Sequence, residues 1–180
     1  MKREIRLSGS GGQGLILAGI ILAEGAILSN LNSIQTQSYG PEARGGASKA
    51  EVIISDEEIN FPKVRKPDIL LCLTQKSFDK YSDSIRKNGT IVVDSSVEEC
   101  EIEDVNLIRL PIIETAKVEL GKEMVANIVA LGVMSELVEE VNYDLLKKAI
   151  LARVPKGSEE LNEKAFELGS SMMKKIYSTI

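Results

Sequence analysis

The chain has 180 residues, of which 43% are hydrophobic and 27% are charged, and its mean hydropathy is −0.01. These values are typical of a soluble globular protein, and the length suits a single domain over residues 1–180. Histidine is absent, and the two cysteines, Cys72 and Cys100, lack a CxxC spacing. The composition therefore excludes Ser-His and Cys-His nucleophile pairs, a four-cysteine iron–sulfur cluster held by this chain alone, and a zinc knuckle.

The net charge is −5, and the one basic block runs from Lys63 to Lys66. An acidic balance of this kind argues against wholesale nucleic-acid binding. The N-terminal apolar stretch is interrupted by glycines and carries Glu24, and it is too short to span a bilayer. We expect a cytoplasmic protein with no nucleic-acid partner, no membrane segment and no metal site of its own.

A glycine-rich turn follows the first predicted strand, residues 5–8, and leads into a helix predicted over residues 13–29. A strand, a glycine turn and a helix in this order direct backbone N–H groups and the positive end of the helix toward an anion or a closely packed chain. The pattern predicts contact with a phosphate-bearing ligand or a neighbouring subunit through Gly9, Gly11, Gly12, Gln13 and Gly14.

A dinucleotide site of the Rossmann type also needs an acidic side chain at the end of the second strand, where it holds a ribose hydroxyl. That strand is predicted over residues 33–37, and it ends in Gln35, Thr36 and Gln37. The missing carboxylate argues against an NAD-type site.

Residues 38–48, Ser-Tyr-Gly-Pro-Glu-Ala-Arg-Gly-Gly-Ala-Ser, connect the second strand to a third over residues 48–55. Glycine, proline and a charged pair between two strands are typical of a loop that contacts a ligand or a partner, although a solvated connection has the same composition. Arg44 is compatible with contact to a partner, to a ligand or to solvent alone. The residues expected at a partner interface are Tyr39, Gly40, Pro41, Glu42, Gly45 and Gly46.

The third strand alternates apolar and polar residues, which predicts one face in water. Residues 69–73 indicate a strand covered on both faces, followed by a polar helix over residues 75–85. Two more strands are predicted over residues 90–93 and 106–110. Strands that alternate with helices favour an α/β fold with a doubly wound, mostly parallel, Rossmann-like sheet.

The rest of the chain is predicted to form C-terminal helices over residues 122–141, 143–152 and 158–176. Asn127 lies among apolar neighbours on the first of these helices. It is either a buried hydrogen-bond bridge or a group that binds a ligand.

Four motifs cover the chain from end to end: Gly-Ser-Gly-Gly-Gln-Gly at residues 9–14, Gln-Ser-Tyr-Gly-Pro-Glu-Ala-Arg-Gly-Gly at 37–46, Asn-Ile-Val-Ala-Leu-Gly at 127–132, and residues 162–169. Together they resemble the gamma subunit of 2-oxoacid:ferredoxin oxidoreductases. The Tyr-Gly-Pro-Glu-Ala-Arg-Gly-Gly run is the specific part. With Ile-Ile-Ser-Asp at residues 53–56, it looks most like the 2-oxoglutarate type.

The resemblance implies an assembly that converts a 2-oxoacid, coenzyme A and oxidised ferredoxin into acyl-CoA, carbon dioxide and reduced ferredoxin. Thiamine diphosphate and the iron–sulfur clusters would lie on partner subunits, while this chain completes the active-site crevice without a catalytic residue of its own. Coenzyme A brings phosphates and an amide arm, which suit backbone N–H groups at residues 11–14, the Arg44 guanidinium, and the side chains of Gln13 and Asn127.

Three alternatives stay open at this point. A free-standing Rossmann-type oxidoreductase would bind a nucleotide cofactor, and a structural interaction module would bind no ligand. A gamma-like subunit for pyruvate, 2-oxoisovalerate or indolepyruvate would share the motifs but serve another 2-oxoacid.

Overall fold

The computed structural model describes residues 1–38, 46–98 and 101–179. Within them, six strands form one mixed sheet in the order β2-β3-β1-β4-β5-β6. The strands are β1 Lys2–Ser10, β2 Asn32–Ser38, β3 Ala47–Ser55, β4 Ile69–Cys72, β5 Thr90–Asp94 and β6 Asn106–Leu110. The helices are α1 Leu15–Leu28, α2 Gln75–Tyr81, α3 Ile112–Val118, α4 Ala126–Leu137, α5 Tyr143–Arg153 and α6 Glu159–Tyr177.

The sheet is largely parallel in strand direction. Strands β1, β4, β5 and β6 pair in parallel, and β3 pairs antiparallel with both β1 and β2. Since β3 opposes both of its neighbours, β2 runs in the same direction as β1. The prediction of an α/β, doubly wound sheet with C-terminal helices is confirmed, and its antiparallel strand lies inside the sheet.

Helices cover both faces of the sheet. Helices α1 and α3–α6 pack on one face, around the side chains of Leu7, Leu71 and Val92. On the other face, Phe78 and Tyr81 of α2 cover a smaller apolar cluster. In the part of the chain that the structure describes, no helix is both long and apolar enough to cross a membrane.

The prediction of a wet face on β3 was wrong. Glu51 on that face is 8% exposed, and it lies directly opposite Arg6 of β1, which is 4% exposed. Arg6 Nε donates to Glu51 Oε1 over 2.8 Å, and Lys49 Nζ donates to the same oxygen over 2.7 Å. The Glu51 side chain is therefore polar yet buried because it forms an ion pair with Arg6 on the neighbouring strand.

Three predicted helices have different limits in the structure. The first begins at Leu15, because Gly14 adopts a left-handed φ of +73° just before it. The second ends at Tyr81 and continues as a 3-10 turn, Ser82–Ser84. The helix predicted over residues 122–141 is a 3-10 turn, Glu123–Val125, followed by α4.

Helix α3 was missed by the sequence analysis. It contains two isoleucines, a threonine and a valine, which are β-branched and have low helix propensity. Its first turn is held from outside the helix, because Asp94 Oδ2 accepts a hydrogen bond from the Ile113 N–H over 2.9 Å. A tertiary contact thus compensates for weak local preference.

Lys147 joins α5 to α6, and it gives a prediction about stability and pH. Its Nζ lies 3.0 Å from the carboxylates of Glu163 and Glu167, and these bonds raise the pKa of Lys147. The stabilisation is complete below the ordinary lysine pKa of about 10.4 and is lost as the pH rises through the raised value. We expect Lys147→Met to lower the free energy of unfolding by about 1 kcal/mol at neutral pH.

Urea denaturation of the full chain at several pH values measures this loss. Lys148→Met is the matched control, because Lys148 is exposed on the same helix. A loss that is equal in both variants, or one that persists unchanged in strong alkali, would contradict the assignment.

Candidate functional site

The candidate site lies at the edge of the sheet where β1, β4, β5 and β6 have their carboxyl ends. Helix α1, which follows β1, packs on one face of the sheet, and α2, which follows β4, packs on the other. The chain therefore changes face between β1 and β4. In open α/β sheets a ligand crevice lies at this point, outside the carboxyl ends of the strands.

The glycine turn, residues 9–14, occupies this point and is closed by its own polar groups. The Gln13 N–H donates to the Ser10 carbonyl over 3.4 Å, and the Ser10 N–H donates to Gln13 Oε1 over 2.8 Å. Gln13 was predicted to contact a ligand. The structure shows that its side-chain oxygen shapes the turn.

Asn127 fastens the turn to α4. Its side chain is buried, and its Nδ2 donates to the Gly14 carbonyl over 3.1 Å. A Cβ on Gly14 would lie 2.5 Å from that nitrogen, so the close approach requires glycine. Of the two roles left open for Asn127, the structure shows the buried bridge.

The glycines of the turn divide into two groups. Gly9 and Gly14 are enclosed, since a Cβ on Gly9 would lie 2.8 Å from Leu15 Cδ1. Gly11 and Gly12 are exposed, and a Cβ on either would meet no described atom within 4 Å. Only this second pair leaves room for a ligand to approach the backbone.

A cleft of about 220 Å³ opens beside Gly12. Its wall includes Met124, which is 85% exposed, and Glu123, whose carboxylate lies 3.0 Å from Lys117 Nζ. The cleft combines backbone and apolar surface with one paired charge. It is lined by Gly12, Gln13, Ile113, Glu123, Met124 and Ala126.

Asp94 fixes one wall of the cleft. Its carboxylate is 1% exposed, and its two oxygens accept hydrogen bonds from the N–H groups of Ser96 and Ile113, each over 2.9 Å. The Arg109 guanidinium donates to the Val97 carbonyl in the same segment. Because both oxygens of Asp94 are engaged by the backbone, this carboxylate positions α3 and does not face a ligand.

Ile113, Glu123 and Met124 were not predicted as cleft residues. They belong to α3 and to the 3-10 turn, neither of which was predicted. Asp94-Ser95-Ser96 at the end of an apolar strand was the one sequence signal, since Asp followed by serines is typical of a turn that caps a neighbouring backbone.

Most of the predicted interface loop lies outside the described residues. This applies to Tyr39, Gly40, Pro41, Glu42, Arg44 and Gly45. Of the predicted set, Gly46 is described, and it is half-buried. Ala47, which follows it, pairs with Ser10, and Ser38 pairs with Lys49, so both ends of the loop lie at the same edge as the glycine turn.

The strand order disfavours a dinucleotide site. Because β3 lies between β1 and β2, the end of β2 is two strands away from the glycine turn, or about 10 Å at ordinary strand spacing. The strand ends in Gln37 and Ser38, which offer no carboxylate for a ribose. Neither the position nor the chemistry of a Rossmann ribose site is present at this strand.

The family model for pyruvate ferredoxin/flavodoxin oxidoreductase matches residues 4–172. The chain belongs to this family. It is 51% identical to 2-oxoglutarate synthase subunit KorC of Methanocaldococcus jannaschii, a match that covers 98% of this chain and 96% of that relative.

Two solved structures of the same class share the fold. The gamma subunit of a keto/oxoacid ferredoxin oxidoreductase from Geobacter sulfurreducens PCA superposes with a TM-score of 0.89 and 46% identity, over 97% of this chain and 98% of that one. A 2-oxoglutarate:ferredoxin oxidoreductase from Magnetococcus marinus, solved with 2-oxoglutarate, coenzyme A and succinyl-CoA bound, gives a TM-score of 0.88 and 25% identity, over 97% of this chain and 31% of that one.

The chain is thus a gamma subunit of a 2-oxoacid:ferredoxin oxidoreductase, as the motifs predicted. It works within a multi-subunit enzyme.

Proposed function

We propose that this gamma subunit serves a 2-oxoglutarate-oxidising enzyme and helps bind coenzyme A in the cleft beside Gly12. The observation that carries the proposal is the open backbone at Gly11 and Gly12, immediately before the N-terminus of α1. The 2-oxoglutarate assignment rests on the similarity to the KorC subunit. Coenzyme A is among the molecules bound in the Magnetococcus marinus structure, to which nearly all of this chain aligns.

The residues present suit part of a coenzyme A molecule. Backbone N–H groups and the positive end of α1 favour a phosphate, and the apolar side chains of Ile113 and Met124 suit the amide arm. The negative Glu123 carboxylate would repel a phosphate, but the Lys117 ammonium lies beside this carboxylate and offsets its charge. Gln13 and Asn127 contribute by holding the shape of the turn.

The cleft is too small for the whole molecule. Its volume of about 220 Å³ lies below the range of roughly 300–1,000 Å³ of complete ligand pockets. The proposal therefore includes a further wall, supplied by a partner subunit and by the loop that holds Arg44. A guanidinium suits phosphate recognition because it donates two parallel hydrogen bonds. Tyr39, Glu42 and the adjoining Gly and Pro residues are proposed to contact the partner.

The proposal places the remaining cofactors on partner subunits. The described residues contain no group of three or more His, Cys, Asp or Glu side chains that could hold a metal ion. Thiamine diphosphate and iron–sulfur clusters, when bound to those partners, supply the carbanion chemistry and the electron transfer to ferredoxin. This chain binds and orients coenzyme A. Its cytoplasmic location stays a prediction.

Gly12→Ala in the complete enzyme tests the role in coenzyme A binding. The added methyl group would meet no described atom within 4 Å, so it would leave the packing intact. Because Gly12 lines the cleft, we expect the methyl group to obstruct a ligand that approaches this backbone. We expect the KM for coenzyme A to rise about tenfold, or about 1.4 kcal/mol, with the KM for 2-oxoglutarate unchanged. Steady-state ferredoxin reduction at varied concentrations of each substrate measures both values.

Gly157→Ala is the matched control. Gly157 has a φ of +87° against +89° for Gly12, and a Cβ at either position meets no described atom within 4 Å. Alanine at either position must therefore adopt the same unfavourable positive φ. Equal KM values for coenzyme A in both variants would contradict the proposed site. Preference for pyruvate, 2-oxoisovalerate or indolepyruvate in the same assay would contradict the substrate assignment.

A further inference from the structure

The basic block that the sequence analysis singled out lies far from the cleft. It belongs to the connection from β3 to β4, at the edge of the sheet where β1 begins, since Lys2 pairs with Ser55 and Ile5 pairs with Ile69. The proposed binding of coenzyme A makes no use of this edge. We define the Phe61 patch as Phe61, Lys63, Arg65 and Lys66, all four of which are exposed.

The backbone of the Phe61 patch is held in place by hydrogen bonds from Arg6 and Arg86. Val64, between the basic residues, is 6% exposed, and its carbonyl accepts a hydrogen bond from Arg6 Nη2 over 3.1 Å. Pro67 is buried, and its carbonyl accepts a hydrogen bond from the Arg86 N–H over 3.1 Å. The exposed side chains therefore project from a backbone that is anchored to the sheet.

The patch combines an apolar centre with positive charge. Phe61 is 44% exposed, and the Arg65 guanidinium carbon lies 4.7 Å from the centre of its ring. A shallow cleft of about 140 Å³ lies between Glu4, Phe61, Lys63 and Arg65. Glu4 is already engaged by Lys2 over 2.7 Å. Among the described residues, Lys63, Arg65 and Lys66 form no ion pair.

Aromatic residues and arginine are enriched at protein interfaces, where they often contribute much of the binding energy. The chain has a net charge of −5. Three neighbouring cations that form no ion pair with a described carboxylate favour a carboxylate-rich surface as their counterpart. We propose that the Phe61 patch docks a carboxylate-rich surface of a partner subunit of the same enzyme. This inference rests on the multi-subunit assembly in which the proposed function places the chain.

A partner subunit fits the patch better than the electron carrier does. An electron carrier must dock close to a redox centre, and this chain, with two cysteines and no histidine, cannot hold an iron–sulfur cluster by itself. A lasting subunit contact also keeps the Phe61 ring out of water permanently, whereas a transient encounter does so only while the carrier is bound.

Charge reversal in the complete enzyme tests the inference. The variant Lys63→Glu, Arg65→Glu, Lys66→Glu changes exposed side chains only. Its matched control, Lys148→Glu, Lys156→Glu, Lys164→Glu, alters the net charge equally at exposed positions on the α5–α6 side. We expect the first variant to dissociate from its partner subunits at about tenfold higher protein concentration than the control, that is, with a Kd about tenfold higher.

Zero-length carbodiimide cross-linking of the wild-type enzyme identifies the occupant. The inference requires a bond between Lys63 or Lys66 and an Asp or Glu of a partner subunit. The inference would be overturned if the lysines cross-linked solely to ferredoxin or to a second copy of this chain. It would also be overturned if nucleic acid, and no protein, shielded them from the reagent, or if both triple variants weakened subunit binding equally. The KM for coenzyme A should stay at the wild-type value in assembled patch variants, so failure of the Gly12→Ala test and failure of this one are distinguishable.

Discussion

Gly169→Ala is expected to lower the free energy of unfolding by about 3 kcal/mol or more, because α4 and α6 cross in backbone contact at this residue. A Cβ on Gly169 would overlap the Val129 carbonyl oxygen and lie 3.0 Å from Gly132 Cα. Both neighbours belong to the backbone of α4, which cannot turn aside as a flexible side chain can. In an isolated helix, replacing glycine by alanine would stabilise the helix by about 1 kcal/mol. The packing against α4 therefore reverses the sign of the effect on stability.

Urea denaturation of the full chain measures this effect. Ser171→Ala is the control, because it also places alanine on α6 but at an exposed position. Wild-type stability in Gly169→Ala would show that the two helices can separate without cost. Because α4 also carries Asn127, which holds the Gly14 carbonyl, displacement of α4 should loosen the glycine turn as well. A higher KM for coenzyme A in the assembled variant would report that coupling.

The elements that the sequence predicted well are those encoded by local pattern. The glycine turn, the apolar β4 strand and the C-terminal helices each follow from residues adjacent in sequence. Helix α3 depends instead on the Asp94 carboxylate, which is 19 residues from Ile113 along the chain. Propensity alone cannot reveal a helix whose first turn is held by a distant side chain.

In the candidate site, too, the features set by local sequence could be predicted and those set by distant contacts could not. The sequence predicted a glycine turn between the first strand and the first helix, and the structure has one there. It could not separate enclosed Gly14 from open Gly12. That distinction depends on where Asn127 lies, and Asn127 is 113 residues away from Gly14 along the chain. The cleft residues Glu123 and Met124 were missed for a related reason, since their exposure arises from a 3-10 turn placed by tertiary packing.

The alternation in β3 shows how one pattern can have two physical origins. Polar residues at every second position predict water on one face, yet Glu51 is enclosed because Arg6 lies opposite it on β1. Tyr81 covers the pair, with the Arg6 guanidinium carbon 5.3 Å from the centre of its ring. A single strand read by itself carries no information about the charge that the neighbouring strand will present.

Glu51→Gln should therefore be costly although it changes few atoms. The variant leaves the Arg6 guanidinium buried without its counter-ion, and removing one partner of a buried pair costs about 3–5 kcal/mol. Lys2→Met is the control, since the Lys2–Glu4 pair lies on β1, the strand of Arg6, and Lys2 is exposed. A pair that faces solvent contributes at most about 1 kcal/mol. Urea denaturation at neutral pH separates the two cases.

A double-mutant cycle then assigns the loss to the pair itself. If Arg6 and Glu51 stabilise the sheet mainly through each other, Arg6→Met combined with Glu51→Gln should cost about 2 kcal/mol less than the sum of the single losses. Additive losses would mean that each side chain acts through separate partners, such as Ser84 and the Val64 carbonyl for Arg6 and Lys49 for Glu51. In that case the burial of polar residues on β3 would follow from several independent contacts, and the cross-strand ion pair would not be its cause.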